Sequence, residues 1–235
     1  MKNFLRLATV ASLVSASVLG GIAMRSADAA TITWGSATTI VGDTDVNTEG
    51  TLFQAANFAG NASTVNGVTF AAFTGNTNGN ISVNYGQEFA TNFGSGQDPF
   101  FSLSSNYQEL LRSGGIFATN VTISGLSNGT EYSIQYWAND SRTQGIGRTM
   151  LVGGVTLDLN STDADGGVGQ WVSGTFTADS STQSFALANG TNHTYSNAMQ
   201  VRVVPEPSTL AGLGIIGTGL AAVIRRRLRA AKSVN

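Results

Sequence analysis

The chain has 235 residues, of which 41% are hydrophobic, 11% are charged and none is cysteine. Its net charge of -2 conceals an acidic body, because residues 31–204 carry four arginines and no lysine against twelve carboxylates, a balance of -8. A body of this composition lacks the basic patch that nucleic acids and anionic lipids require. Without cysteine, disulfides, thiol catalysis and cysteine-ligated metal sites are excluded as well.

The first 30 residues have the pattern of a secretory signal peptide. A basic start at Lys2 is followed by an apolar run over residues 7–22 and by small residues at Ala27 and Ala29 that offer a cleavage site. We predict a signal peptide over residues 1–30, so that the following domain is exported.

Residues 31–203 are predicted to form one mainly β domain. Runs rich in β-branched and aromatic residues alternate with turn signals such as Asn128-Gly129 and Gly153-Gly154. The predicted strands cover residues 31–34, 67–73, 81–85, 116–123, 131–137, 148–159, 170–177, 182–187 and 199–204. Strands of this number and length predict a single antiparallel β-sandwich or jelly roll.

Alternation within the strands predicts which side chains are buried. In the run 131–137, one face carries Tyr132, Ile134 and Tyr136, and in the last strand Gln200 and Arg202 are predicted to point outward.

One short helix is expected between the strands. It is predicted over residues 106–112, capped by Ser104 or Ser105 and ended by Gly114 or Gly115.

The residues do not point to an enzyme. His193 is the only histidine and lies in a loop-like stretch, so neither a catalytic triad nor a histidine zinc site is indicated. A glycosidase needs two carboxylates at a spacing that only the fold can set. Five carboxylates are candidates, and sequence spacing singles out no pair: Glu88, Asp98, Glu109, Glu131 and Asp140. We therefore predict a non-catalytic domain and keep a glycan-active hydrolase as a third interpretation.

Calcium is the one cofactor that the sequence suggests, without establishing it. Asp158, Asn160, Asp163 and Asp165 place hard oxygen ligands in a Gly-rich loop after a predicted strand. Their spacing does not fit an EF-hand loop, and no bidentate glutamate closes it. The alternative is a set of hydrogen-bonding turns.

A candidate sugar site follows the predicted strand 131–137. Trp137 or Tyr136 would supply a stacking platform, and Asn139, Asp140 and Arg142 would bond hydroxyl groups. The interpretation that we favour instead is an ion pair between Asp140 and Arg142 that fixes the loop.

The C-terminal residues combine three signals over 204–229. Pro205 and Pro207 keep the chain extended around Glu206. Residues 208–224 carry no charge, and as a helix they would reach about 25 Å, near the lower limit for crossing a bilayer core of about 30 Å. Arginines follow at 225–227 and favour the cytoplasmic side, which predicts a transmembrane helix and a cytoplasmic tail over residues 230–235.

These residues resemble the PEP-CTERM sorting signal of exported bacterial proteins, which an exosortase, a membrane protease, recognises and removes. The resemblance implies two groups of sorting residues, one for recognition and one that holds the tail in place: Pro205, Glu206 and Pro207, and Arg225, Arg226 and Arg227. It also implies an inner-membrane intermediate, a final place at the cell surface or outside the cell, and an association with exopolysaccharide and biofilm. A carbohydrate-binding module of jelly-roll type is the alternative function.

The body is similar to a recurrent domain of surface proteins that carry the same tail. The resemblance rests on three segments, at 126–132, 139–142 and 167–178. The strand pattern is also similar to galactose-binding-like jelly rolls, at the level of fold alone.

Overall fold

The computed structural model describes residues 30–89 and 92–205. The predicted transmembrane helix, the sorting residues from Glu206 onward and nearly all of the predicted signal peptide lie outside the described residues. The described residues include no helix with the length and hydrophobicity of a membrane span.

The described chain is mainly β, with one α-helix, α1 (Ser105–Arg112), and three 3-10 turns at Asp43–Asp45, Phe100–Ser102 and Thr143–Gly145. In chain order the strands are β1 (Thr33–Trp34), β2 (Thr38–Thr39), β3 (Thr51–Phe58), β4 (Ser63–Val65), β5 (Val68–Phe73), β6 (Thr77–Asn78), β7 (Ile81–Val83), β8 (Gln87–Phe89), β9 (Gly114–Ile116), β10 (Asn120–Ser124), β11 (Glu131–Ala138), β12 (Thr149–Val152), β13 (Val155–Asp158), β14 (Gln170–Thr177), β15 (Thr182–Asn189), β16 (Tyr195–Ser196) and β17 (Ala198–Val203).

The strands form three sheets. Sheet I has eight strands in the order β1-β14-β11-β17-β3-β5-β4, with β2 paired to β14. Sheet II has the order β13-β12-β15-β10-β7-β6, and sheet III the order β16-β9-β8. Pairing is antiparallel except between β3 and β5, which run parallel. The prediction of a mainly β domain with antiparallel sheets and one helix is confirmed, and the arrangement is consistent with a β-sandwich.

The main hydrophobic core lies between sheets I and II. Tyr132, Ile134 and Tyr136 share one face of β11, as their alternation predicts, and meet Val121 and Phe185 of sheet II. All five are at most 6% exposed. Burial of this apolar area is the main source of stability in a domain without disulfides.

A second core covers the outer face of sheet I. Trp137 of β11 packs there against Tyr107, Leu110 and Leu111 of α1. The helix begins as predicted, because the Ser104 hydroxyl accepts a hydrogen bond from the Tyr107 amide at 3.2 Å. Sheet I is therefore buried on both faces over much of its width, unlike a sandwich sheet with one wet face.

The prediction that Gln200 and Arg202 face solvent is wrong, since their exposed fractions are 1% and 7%. Residues 45–50 lie across this part of sheet I, and Arg202 donates from Nε to the Glu49 carbonyl at 2.7 Å. Alternation along a strand separates its two faces. It does not say what covers the second one.

One strand was not predicted, and two predicted strands are each divided in the structure. β3 was not predicted, because its alanines, Gln54 and Asn57 have weak strand propensity. The run 116–123 is divided between sheets III and II, and Phe117, with φ of 62°, turns the chain between them. The run 148–159 is a hairpin of β12 and β13 around Gly153-Gly154.

Candidate functional site

Asp140 is the centre of a buried ion-pair cluster at the end of β11. Its side chain is fully buried and accepts from Arg142 Nε at 2.7 Å, from Arg142 Nη2 at 2.9 Å and from Arg148 Nη1 at 3.0 Å. The hydrogen bond to Asp140 raises the pKa of Arg142. The ion pair that we favoured on the sequence is present, and it fixes the loop between β11 and β12.

The other residues of the predicted sugar site lie inside the protein. Trp137 is 0% exposed and donates from Nε1 to the Tyr107 hydroxyl at 2.9 Å. A ring without an exposed face cannot stack on a sugar, so Trp137 is not a stacking platform in this structure. Asn139 is also 0% exposed, and of the four predicted residues Arg142 alone reaches the surface.

Asn139 instead holds three segments together. Its Oδ1 accepts from the Gly169 amide at 2.8 Å, and its Nδ2 donates to the carbonyls of Phe93 and Leu111. Asn197 adds a hydrogen bond to the same Leu111 carbonyl at 2.8 Å. These bonds satisfy a carbonyl at the C-terminal end of α1 and fix the last helical turn relative to β11.

The four candidate calcium ligands engage different parts of the chain. Asp158 accepts from the Asn160 amide, Asp163 from the Gly147 amide, and Asp165 from the Ser95 hydroxyl at 2.9 Å. Between Ala30 and Pro205, leaving out residues 90 and 91, no group of three or more His, Cys, Asp or Glu side chains could hold a metal ion. Asp158 therefore closes a local turn, whereas Asp163 and Asp165 tie this loop to the distant residues Gly147 and Ser95.

Two of the candidate catalytic residues, Glu131 and Asp140, lie far apart. Glu131 and Asp140 stand at the two ends of β11 and its following loop. The extended chain between these two residues, at about 3.4 Å per residue, separates them by roughly 30 Å. This distance is beyond the spacing of a pair of catalytic carboxylates in a glycosidase. His193 packs its ring against Phe117, with 4.2 Å between the ring centroids. The side chain of Glu88 is outside the described set.

A first cleft, of about 410 Å³, lies on the outer face of sheet I. Its floor includes the polar clasp, which we define as Gln135, Gln200 and Arg202. Gln135 Nε2 donates to the Asp45 carbonyl at 2.6 Å, and Arg202 Nη2 donates to the carbonyls of Thr48 and Gly50 at 2.9 Å. The polar clasp is thus occupied in tying residues 45–50 to the sheet, which is a structural role.

A second cleft, of about 560 Å³, lies between the end of α1, the loop after residue 91 and the loop after β11. We call it the arginine cleft, and its lining residues are Asn92, Gly94, Ser95, Gly96, Phe101, Gln108, Arg112 and Arg142. It holds two of the four arginines of residues 31–204. Its volume is within the range of about 300 to 1,000 Å³ that is usual for ligand sites.

The arginine cleft contains donors that the protein leaves largely unused. Within the part of the chain that the structure describes, Arg112 donates one hydrogen bond, from Nη2 to Gln108 Oε1 at 3.4 Å, and its buried Nε has no hydrogen-bond partner. The nearest carboxylate, Glu109, is 3.9 Å from that Nε. Arg202, by contrast, is fully engaged in the polar clasp.

Phe101 places an exposed ring beside these arginines. Its side chain is 61% exposed, whereas the neighbouring Phe100 is fully buried in the second core. Both backbone groups of Phe101 are hydrogen-bonded. Its N–H donates to the Gln97 carbonyl, and its C=O accepts from Gln108 Nε2 at 2.9 Å. The ring is therefore exposed on a fixed backbone.

Sequence reasoning missed Phe101, Gln108 and Arg112. A usable signal was present, because Phe101 adjoins Pro99-Phe100 and Arg112 is one of few cations in an acidic chain. That the two meet Arg142 in one cleft depends on the tertiary fold.

The sorting signal begins where the folded domain ends. Val203 closes β17, where it pairs with Thr51 and Tyr132, and the Val204 amide still donates to the Glu131 carbonyl at 2.9 Å. β17 lies between β11 and β3 in sheet I, so the chain leaves the domain from an inner strand. Only Pro205 separates this last hydrogen bond from Glu206.

The fold and the charge distribution define the chain as a mainly β domain of sandwich type with an acidic, cysteine-free body. Residues 203–229 match the family model of the PEP-CTERM protein-sorting motif. The resemblance inferred from the sequence is thereby confirmed: the chain carries the signal of an exported protein that an exosortase sorts.

Comparison with other known proteins adds less. A search of curated proteins found no match to this sequence. Among solved structures, a calcium-binding mutant of Bacteroides uniformis beta-glucuronidase 2 has a TM-score of 0.49 at 12% identity, over 65% of this chain and 18% of that one. Bacteroides uniformis beta-glucuronidase has a TM-score of 0.44 at 11% identity over the same shares. The matched region spans under a fifth of those enzymes, and likenesses of this degree say nothing about activity.

Proposed function

We propose that this protein is a non-catalytic component of the bacterial cell surface or extracellular matrix, and that its β domain contacts exopolysaccharide after sorting. The observation that supports the proposal most directly is the sorting motif at residues 203–229, which starts on the last strand of the folded domain. A motif in this position delivers the whole domain outside the cell as one unit. The arginine cleft then supplies that unit with an aromatic ring and hydrogen-bonding side chains at its surface.

Sorting is tested by replacing Pro205, Glu206 and Pro207 with alanine in the native host. We expect the variant to be exported but to keep its tail, because the folded domain is unchanged and the recognition peptide is lost. Intact mass in membrane and extracellular fractions distinguishes the forms. Normal removal of the tail from this variant would overturn the assignment of an exosortase.

The contact with polysaccharide is tested on the protein recovered from the extracellular fraction. We expect it to sediment with the host's purified exopolysaccharide, and we expect deletion of its gene to alter the polymer released by the cells. Incubation of the same protein with that polymer should release no reducing ends. Turnover that a single carboxylate substitution abolishes would replace this proposal with the hydrolase interpretation.

A further inference from the structure

We propose that the arginine cleft is a binding site for acidic sugars, in which Arg112 and Arg142 bind the carboxylate of a uronic acid residue and Phe101 packs against its ring. This inference rests on the proposed function, because it names the class of polysaccharide that the domain would contact. The first support is the state of the two guanidinium groups. Arg142 donates to Asp140 from Nε and from Nη2, and its charged side chain is 31% exposed. Arg112 makes a single long hydrogen bond, to Gln108.

Arginine donors suit a carboxylate for a geometric reason. The planar guanidinium presents parallel N–H groups that match two carboxylate oxygens, and such charge-assisted bonds are stronger than bonds between neutral groups. The side chain of Arg112 is 40% exposed, and its Nη groups make one long hydrogen bond, to Gln108, among the described residues. Its Nη N–H groups are therefore the donors that a ligand carboxylate would meet in the cleft.

The carboxylates around the cleft do not already fill this role. Asp140 is shared between Arg142 and Arg148, Asp165 accepts from Ser95, and Glu109 is 3.9 Å from Arg112. The first two are fixed in bonds to other groups. Glu109 is at a distance where a partly exposed ion pair contributes little.

The lining of the cleft also fits a sugar ring. The exposed face of Phe101 offers an apolar surface for C–H groups, and the exposed Asn92 offers a side-chain amide for sugar hydroxyls. Gly94 lets the loop that lines the cleft pack closely against α1, since a Cβ there would lie 3.0 Å from the Phe100 ring and 3.2 Å from the Arg112 Cβ. A substituent at this position would push against the helix that carries Arg112.

The backbone at Arg112 and the guanidinium of Arg142 are held in place before binding. Arg112 closes α1, and the bonds from Asn139 and Asn197 to the Leu111 carbonyl hold that turn of the helix. Arg142 is held by Asp140 and lies over the Phe93 ring, with 5.0 Å from its Cζ to the ring centroid. Groups that are fixed before binding lose less conformational entropy when the ligand arrives.

The test is a calorimetric titration of the extracellular protein with oligogalacturonate, with a neutral hexose oligomer of the same length, and with inorganic phosphate. We expect the uronate oligomer to bind at least about tenfold more tightly than the neutral one, and to weaken as salt is raised, because the interaction is between charges. Phosphate should not compete at equal concentration. Phosphate bound as tightly as the uronate would overturn the proposal in favour of a general anion site.

Variants locate the binding. Arg112→Gln and Phe101→Ala should each weaken uronate binding about tenfold or more, the loss expected for one charge-assisted contact or one ring face. Asn128→Asp makes the same change of charge as Arg112→Gln, but in the turn before β11, at the end of the strand away from the cleft. Phe117→Ala removes another exposed ring, and both controls should bind as the native protein does.

The outcomes separate this inference from the proposed function. Equal binding of acidic and neutral oligomers, lost in Phe101→Ala, would refute the preference for acidic sugars and leave the polysaccharide contact standing. Uronate binding that neither Arg112→Gln nor Phe101→Ala changes would refute the site. No binding to either oligomer, together with no sedimentation with exopolysaccharide, would refute both.

Discussion

Replacement of Asp140 by asparagine tests the buried ion-pair cluster on which the arginine cleft depends. The side chain of Asp140 is fully buried and forms ion pairs with both Arg142 and Arg148, through bonds of 2.7 to 3.0 Å. Asparagine has nearly the same shape but no charge. Its amide would turn two hydrogens toward guanidinium groups that accept none.

The expected loss can be derived from the exposure of the partners. Removing one partner of a buried ion pair costs about 3 to 5 kcal/mol. The side chains of Arg142 and Arg148 are 31% and 21% exposed, so water can solvate them in part, and the lower end of about 3 kcal/mol applies. For a domain of this size, that corresponds to a decrease in melting temperature of about 6 to 12 °C.

Thermal unfolding of the extracellular protein, followed by circular dichroism at pH 7, measures the effect. Asp179→Asn is the matched control, because Asp179 is exposed and the same change there should alter the melting temperature by less than about 2 °C. Uronate binding should weaken as well, since Arg142 loses the carboxylate that orients it. If Asp140→Asn melted within about 2 °C of the control, the cluster would not contribute the stability that we assign to it.

Three further outcomes follow from the described contacts. Arg202→Lys should loosen residues 45–50 and speed amide hydrogen exchange at Asn47, because lysine cannot reach several carbonyls at once. Unchanged exchange at this amide would contradict the role of the polar clasp in holding residues 45–50. Trp137→Phe should lower the free energy of unfolding by about 1 to 2 kcal/mol, because the bond to Tyr107 is lost. The variant should still bind oligogalacturonate as the native protein does, since the buried ring does not contact ligand. Weaker binding in a calorimetric titration of this variant would contradict that role. Burial raises the pKa of Tyr136, so the folded protein keeps a proton that the unfolded chain releases near pH 10. The contribution of Tyr136 to stability is therefore fully present below about pH 10 and decreases above it. The tyrosinate absorbance of this residue should rise together with unfolding rather than before it.

Local patterns predicted those parts of the fold that depend on neighbouring residues. The helix was predicted because its cap, Ser104, is adjacent to the turn that it satisfies. The buried face of β11 was predicted because side chains alternate along any strand. β3 was not, because a strand of weak propensity is formed by its pairing with β17 and β5, which lie far away in sequence.

The candidate site was harder to predict because its residues change role with burial. Asn139 and Asp140 look like ligand-binding side chains in the sequence, and in the fold they anchor a helix and two arginines. Phe101 looks like a core residue and lies at the surface. The roles differ from those that the sequence suggests because a second layer covers sheet I. Polar residues beneath such a layer must find hydrogen-bond partners inside the protein.

The sorting of this protein could be predicted from the sequence alone, because a sorting signal is a contiguous stretch that works through its own composition and order. The proline-glutamate-proline peptide, the uncharged run and the arginines all lie within residues 203–229. The surface that the domain presents depends instead on the tertiary fold. The arginine cleft joins the helix that ends at Arg112 to the loop that carries Arg142, and such long-range contacts arise from packing between two sheets and a covering layer, which no local pattern encodes.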